Sequence, residues 1–171
     1  MGLNVANTPG FPGEKLVDIE NKNVALDKPA RQINTFSDNL ALFGASNAVD
    51  GKIGTMSHTS DPVVDVASWW QVDLEDPYAI TSIVIINRQD DCQGCQDRLT
   101  DFYIRLVGAD GITIVEEKYI TEAVSSDSVG TTYDGWDHDE KNLLAQYVRI
   151  VMPYRDSTSF LHLAEVQVFG E

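Results

Sequence analysis

Apolar and polar residues alternate with a period of two in several short stretches of this chain. In Phe102–Val107 (FYIRLV), Phe102, Ile104 and Leu106 alternate with Tyr103 and Arg105. In Tyr147–Met152 (YVRIVM), Val148, Ile150 and Met152 alternate around Arg149. That period belongs to a strand with one buried face. Trp69–Leu74 (WWQVDL), Ile112–Ile120 and Glu165–Phe169 (EVQVF) are of similar length, and Ile80–Arg88 opens with ITSIVII, the composition of a fully buried strand. NVALDKPA, from Asn23, reads as a further short strand closed by Pro29, and the cluster Leu40, Leu42 and Phe43 as a turn packed on the core. No stretch carries the period of an amphipathic helix of any length, and there is no internal repeat. The pattern predicts an all-β domain, an antiparallel β-sandwich.

Two stretches fall outside it. Met1–Asn21 contains Pro9, Gly10, Pro12 and Gly13 without periodicity, so residues 1–22 read as a linker or amino-terminal arm that adds one strand near Leu16–Ile19. The compact domain is then 23–171. Thr121–Asn142 is polar and acidic, a long loop or ragged edge hairpin. Its Asp134, Asp137 and Asp139 lack the glycine and closing glutamate of an EF-hand and read as a solvated turn.

Composition removes several function classes. The 171 residues suit one domain with a sizeable core. Twelve basic against 27 acidic residues give a formal charge of 12 − 27 = −15. Such a surface repels phosphate backbones, so nucleic acid and anionic membranes are poor partners, whereas divalent cations suit it. No apolar run approaches the ~18 residues of a membrane span. The first twenty residues hold no hydrophobic signal region.

Candidate chemistry concentrates in Asn87–Arg98 (NRQDDCQGCQDR), at the exit of the apolar strand. Arg88 and Arg98 bring donor-only forks, and Asp90, Asp91 and Asp97 are close enough in sequence to pair with them. Cys92 and Cys95 could be a zinc half-site, a redox pair or a disulfide. A structural zinc site needs about four ligands and no second C-x-x-C exists; a thioredoxin-type pair opens a helix, and no helical pattern follows Cys95. A disulfide is left, which implies an oxidising compartment. His138 reads as a loop histidine and His162 as a packing residue at a strand end.

The succession SNAVDG (Ser46–Gly51), His58, WWQVDL, ITSIVIINRQD, CQDRLTDFYI and LHLAEVQVFG resembles the F-type lectins, or fucolectins, within the wider discoidin or F5/8 type C group. The resemblance covers about Asn23–Gly170. It implies a discoidin-like jelly roll with binding loops at one end and a site for L-fucose. His58, Arg88 and Arg98 match the family's histidine and two arginines, which hydrogen-bond the axial 4-hydroxyl, the 3-hydroxyl and the ring oxygen; Asp90 orients an arginine. Cys92 and Cys95 stand where the family commonly has adjacent cysteines packed on the sugar's apolar edge, but Gln93 and Gly94 separate them here. Thr35, Phe36, Asn39 and Leu40 fall near the pocket for the fucose methyl, with Phe36 and Leu40 as its lining. The resemblance also implies bound calcium, Ca2+, held by the carbonyls of Asn47, Lys52 and Ala164, the carboxylates of Asp50 and Glu165, and the Thr55 hydroxyl.

The expectation is therefore a non-catalytic, extracellular or cell-surface module for fucosylated glycans. It would act with other domains of a longer chain or with further copies of itself. Three rivals stand beside it: a discoidin-like module for a different glycan or a protein surface, a glycosidase, and a calcium-stapled spacer. Carboxylates flanked by arginines are held ionised, which disfavours a general acid, and no G-x-S-x-G, P-loop or H-E-x-x-H motif is present.

Overall fold

A computed structural model of the chain describes residues 22–136 and 144–171. The expected arm with its strand near Leu16–Ile19, and Asp137, His138 and Asp139, lie outside the described residues. Ten strands follow one another: β1 (Ala30–Gln32), β2 (Ser57–His58), β3 (Ser68–Tyr78), β4 (Ile80–Ile86), β5 (Phe102–Val107), β6 (Ile114–Ile120), β7 (Thr131–Tyr133), β8 (Ala145–Met152), β9 (His162–Leu163) and β10 (Glu165–Gly170). Every pairing is antiparallel. β1-β3-β8-β5-β6 form one sheet, β10-β4-β7 a second, and β2-β9 a small ribbon.

The period-two pattern is what lets the two sheets face each other. Trp70 and Val72 of β3, Phe102 and Ile104 of β5, and Val148 and Ile150 of β8 are buried with Ile83 and Ile85 of β4 and Val166 and Val168 of β10 in one core. The Trp70 indole donates to the Ala45 carbonyl at 2.9 Å, so the largest core side chain leaves no buried donor unpaired. The sandwich is as the alternation predicts. Helical structure among the described residues is limited to single turns, and no helix there is long and apolar enough to cross a membrane.

Several boundaries differ from the sequence reading, each for a local reason. NVALDKPA is no strand: Asn23 makes one bridge to Phe169, and the chain then turns through Asp27 at φ 58°. Pro29 immediately precedes β1 instead of closing a strand: it lacks an N–H, but its carbonyl accepts from Asp73 N at 2.8 Å. Leu40 and Leu42 are not packed on the core but exposed, at 71% and 60%. The single turn Leu40–Phe43, capped by the Asn39 side chain, has room to send only Phe43 inward. β6 begins at Ile114, since the Asp110 carboxylate takes the N–H groups of Ile112 and Thr113 and holds them in a turn. β3 runs on through a register shift to Tyr78. The polar stretch after Thr121 does yield a short edge strand, β7, and buries Trp136.

Asn87, fully buried at the end of β4, fixes the loop beyond it. Its amide donates to the carbonyls of Gln96 at 2.9 Å and Val124 at 3.1 Å, and its Oδ1 accepts from Arg88 N. The loop is thereby tied to its own far end. Asn87→Ala is expected to strand the Val124 carbonyl and the Arg88 N–H, both buried, and cost about 2–4 kcal/mol. Urea unfolding checks this: the midpoint should fall while the slope is unchanged.

Candidate functional site

Three segments converge at one end of the sandwich. β2 brings His58, set opposite His162 of β9. The exit of β4 brings Arg88 and the loop to Arg98, and the turns before β2 bring Phe36 and Phe43. Together they line an open cavity of about 480 Å³.

Arg88 is buried to 7% exposure, yet a guanidinium stays charged. It is answered by Asp90, which takes Nε at 2.7 Å and Nη2 at 2.6 Å in a bidentate pair. The bond to Arg88 holds the Asp90 carboxyl below the usual range. The fork is thus fixed, with its remaining N–H groups left for a ligand. Asp91 and Asp97 do not pair with an arginine, and both are exposed. Arg98 lies half-buried with its guanidinium 5.4 Å from the centre of the Phe160 ring, a cation–π contact. Arg155 steadies it from below by donating to the Arg98 carbonyl at 3.0 Å.

His58 supplies the acceptor that the arginines lack. Its Nδ1 is 2.7 Å from the Thr59 carbonyl, which can only accept, so Nδ1 carries the hydrogen and Nε2 keeps a lone pair. The ring centroid is 4.9 Å from Phe36, 5.7 Å from Phe43 and 5.5 Å from Phe160. Burial in this box, then the charges of Arg88 and Arg98, push its pKa down from 6.5. The ring is neutral at physiological pH. His162 packs 5.6 Å from it, fully buried, with neither ring nitrogen hydrogen-bonded. Burial and Arg88 push His162 down to about 3.

Cys92 and Cys95 form a disulfide with Cα atoms 5.4 Å apart, and both residues line the cavity. Gly94 takes φ 71° to close that small ring, a conformation glycine adopts without penalty. Of the fucose-site residues expected from sequence, His58, Arg88, Asp90, Cys92, Cys95, Arg98 and Phe36 meet here. Leu40 does not: it points to solvent. Phe43, Asp61 and Phe160 line the cavity unforeseen. The one available signal was that Phe160 precedes His162 by two residues, the spacing that puts two side chains on one side of an extended chain.

A second cluster lies behind the first. The Thr55 hydroxyl has one hydrogen, but four oxygens surround it: Asp50 Oδ1 at 3.0 Å and Oδ2 at 2.9 Å, Lys52 O at 2.9 Å and Asn47 O at 3.4 Å. Glu165 is 1% exposed; Oε1 accepts from Gly51 N at 3.2 Å, while Oε2 is buried without a partner. Burial and nearby Asp50 push this carboxyl up to about 7. Ala164 is buried beside it, its N–H donating to Ile86 O at 2.9 Å. Crowded hard oxygens short of hydrogens, with an orphaned buried carboxylate oxygen, are the donor set that suits calcium. Among the described residues no three His, Cys, Asp or Glu side chains gather for a metal, so backbone carbonyls have to complete any shell.

This arrangement has counterparts. Residues 47–150 match the NedA-like, galactose-binding domain family of the F5/F8 type C group. Fucolectin-3 of Anguilla japonica is 34% identical over 86% of this chain and 78% of its own length. Among solved structures, the fucose binding module SpX-3 of Streptococcus pneumoniae superposes with a TM-score of 0.66 at 28% identity, covering 88% of this chain and 98% of that one. An F-lectin from striped bass (Morone saxatilis) serum gives a TM-score of 0.67 at 28% identity, covering 87% of this chain and 48% of that one. Each of these relatives is named for binding, as a lectin or a fucose binding module. With a matching fold over nearly all of the described chain, this protein belongs to the fucolectin (F-type lectin) family of discoidin-like domains.

Proposed function

We propose that residues 23–171 form a non-catalytic lectin domain that binds L-fucose at the end of fucosylated glycans. The observation that carries this is the pairing of one fixed acceptor, His58 Nε2, with two donor-only guanidiniums over a small apolar box. A sugar hydroxyl has one hydrogen and two lone pairs. Donating to His58 and accepting from Arg88 and Arg98 saturates it, which suits the axial 4-hydroxyl. The arginines' further N–H groups suit the 3-hydroxyl and the ring oxygen. Phe36, Phe43 and the Cys92–Cys95 disulfide offer apolar surface to the methyl and the ring edge. Asp90, by neutralising one arginine, favours an uncharged ligand over phosphate or sulfate.

Calcium is part of the proposal. Asn47, Asp50, Lys52, Thr55, Ala164 and Glu165 would hold it through the oxygens named above, and its charge would relieve the buried Glu165 carboxylate. An extracellular setting is supported by the disulfide and by the serum origin of one relative. Residues 1–22, as a linker, would join the domain to others, and several copies would raise the avidity of a weak single site.

A glycan array is expected to give signal confined to fucosylated glycans; dominance of other sugars would move the assignment to a different glycan. Removing either guanidinium costs a charge-assisted hydrogen bond, so Arg88→Ala and Arg98→Ala should each weaken L-fucose binding about 10- to 100-fold by calorimetry. An unchanged constant in both would exclude this site.

The acid dependence has a definite sign. Binding needs His58 neutral, and its pKa lies below 6.5. Affinity should be level above pH 7 and fall as pH drops below that depressed pKa; constancy down to pH 4 would remove His58 from the contact.

Calcium at about 100 times its dissociation constant contributes about 2.7 kcal/mol, equivalent to roughly 5–10 °C in melting temperature at this size. EDTA should reverse the rise, and Glu165→Gln should abolish it. A wild-type melt indifferent to calcium would end the metal assignment and leave the sugar site standing.

A further inference from the structure

The outer face of the five-stranded sheet carries a pattern that the loop site does not use. Cross-strand register sets Arg31 beside Gln71, Gln71 beside Arg149, Arg149 beside Arg105, and Arg105 beside Glu117. One row across β1, β3, β8, β5 and β6 thus holds three of the chain's six arginines. Its formal charge is 3 − 1 = +2, on a chain whose total is −15. Like charges directly opposite each other on neighbouring strands are destabilising.

Internal bonds do not cancel the charge. Arg105 ion-pairs with Glu117. Arg149 meets neutral acceptors, giving Nε to Gln71 Oε1 at 2.6 Å and Nη2 to the Gly111 carbonyl at 3.3 Å. Arg31 is exposed and makes no ion pair among the described residues. Burial and the facing Arg105 both hold the Arg149 guanidinium below its ordinary pKa, the mark of a cation short of an anion.

The adjacent row supplies a flat apolar platform: Trp69, Val151, Tyr103 and Tyr119 are successive cross-strand neighbours. Trp69 and Val151 line an open depression of about 490 Å³ with Arg31, Gln71, Arg105 and Arg149. A smaller hollow of about 250 Å³ adjoins it through Arg31 and Gln71 and is bounded by Asp73 and Tyr147. Neighbouring strands are about 4.8 Å apart, so Arg31 and Arg149 flank Gln71 at roughly 10 Å, a span that one anion can bridge.

We propose that this face is a second carbohydrate site, for a sugar bearing a single carboxylate. The carboxylate sits between Arg31 and Arg149, the ring lies on Trp69, and the hydroxyls reach Gln71 and, in the adjoining hollow, Asp73 and Tyr147. Asp73 at the far end repels a second negative group, and the acidic surface around the patch disfavours a long polyanion. An acidic peptide is therefore a poorer fit than a monoanionic sugar. The face shares no residue with the loop cavity, so its occupancy is independent of fucose.

The test is a titration of the 15N-labelled full chain at constant ionic strength. The probes are sodium glucuronate, N-acetylneuraminate, methyl glucoside, tetraglutamate and sodium acetate. The expected result is saturable shifts of the Trp69 indole N–H and the arginine Nε–H signals with glucuronate or N-acetylneuraminate, and none with methyl glucoside. Arg31→Ala, which alters an exposed side chain, should weaken that binding at least five-fold while the response to L-fucose is unchanged. Arg149→Gln should do the same. Shifts equal to those from acetate mean an adventitious ion and overturn the proposal. Tighter binding of tetraglutamate overturns it in favour of a protein partner, and an unaltered constant in Arg31→Ala removes the arginine row from the site.

Discussion

Placing a permanent cation, Arg88, out of water at the end of β4 constrains everything around it. An unpaired buried charge is intolerable, so the chain turns back within two residues to bring Asp90 onto the guanidinium in two bonds. That turn needs an anchor, which Asn87 provides by bonding the loop's far end. A second cation, Arg98, already shares the cavity, so a third would be costly. His58 is accordingly kept neutral by its aromatic box, and His162 next to it more strongly still. The acceptor role of His58 thus follows from the charges beside it and is not a separate feature.

The two clusters are coupled through one strand pair. Glu165 is in register with Ile86, two residues before Arg88, and Ala164 N bonds the Ile86 carbonyl. His162 lies three residues before Glu165 on the same segment. A cation gathering Asp50, Thr55 and Glu165 would therefore brace the strand ends from which both Arg88 and the histidine pair project. Rigid support of this kind lowers the ordering cost of binding a small ligand, where few contacts are available to offset it.

Much of the fold was legible because alternation and burial are the same physical fact: FYIRLV and YVRIVM bury the residues the period selects. What escaped were places where a side chain overrides the local pattern. Asp110 captures two N–H groups and delays β6, Pro29 leads into a strand through its carbonyl, and the one-turn helix after Asn39 leaves Leu40 in water. The site was legible where chemistry is concentrated in sequence, as in Asn87–Arg98. It was not legible for Phe43 and Phe160, since a lone phenylalanine before a polar or apolar neighbour looks the same whether it faces the core or a cavity. Composition and spacing alone did not choose among Asp90, Asp91 and Asp97 as partner of Arg88, because that depends on which way the loop turns; the family resemblance pointed to Asp90, which is the partner.

The cations of this chain are few and unevenly placed. Six arginines and six lysines stand against 27 acidic residues, and the two types are not used alike. Arg88 and Arg98 line the loop cavity, Arg155 supports it through Asp101 and the Arg98 carbonyl, and Arg31, Arg105 and Arg149 form the row on the outer sheet. Two of the lysines that the structure describes play other parts: Lys28 pairs with Glu75, and Lys118 lies over the Trp136 ring. A planar fork fixed by neighbours loses little freedom when it binds, whereas a flexible ammonium loses more per bond formed. On a surface this acidic, fixed arginines also create the few positions where a ligand meets net attraction. The arginine map therefore marks where the domain can recognise something, at the loops and again on the sheet.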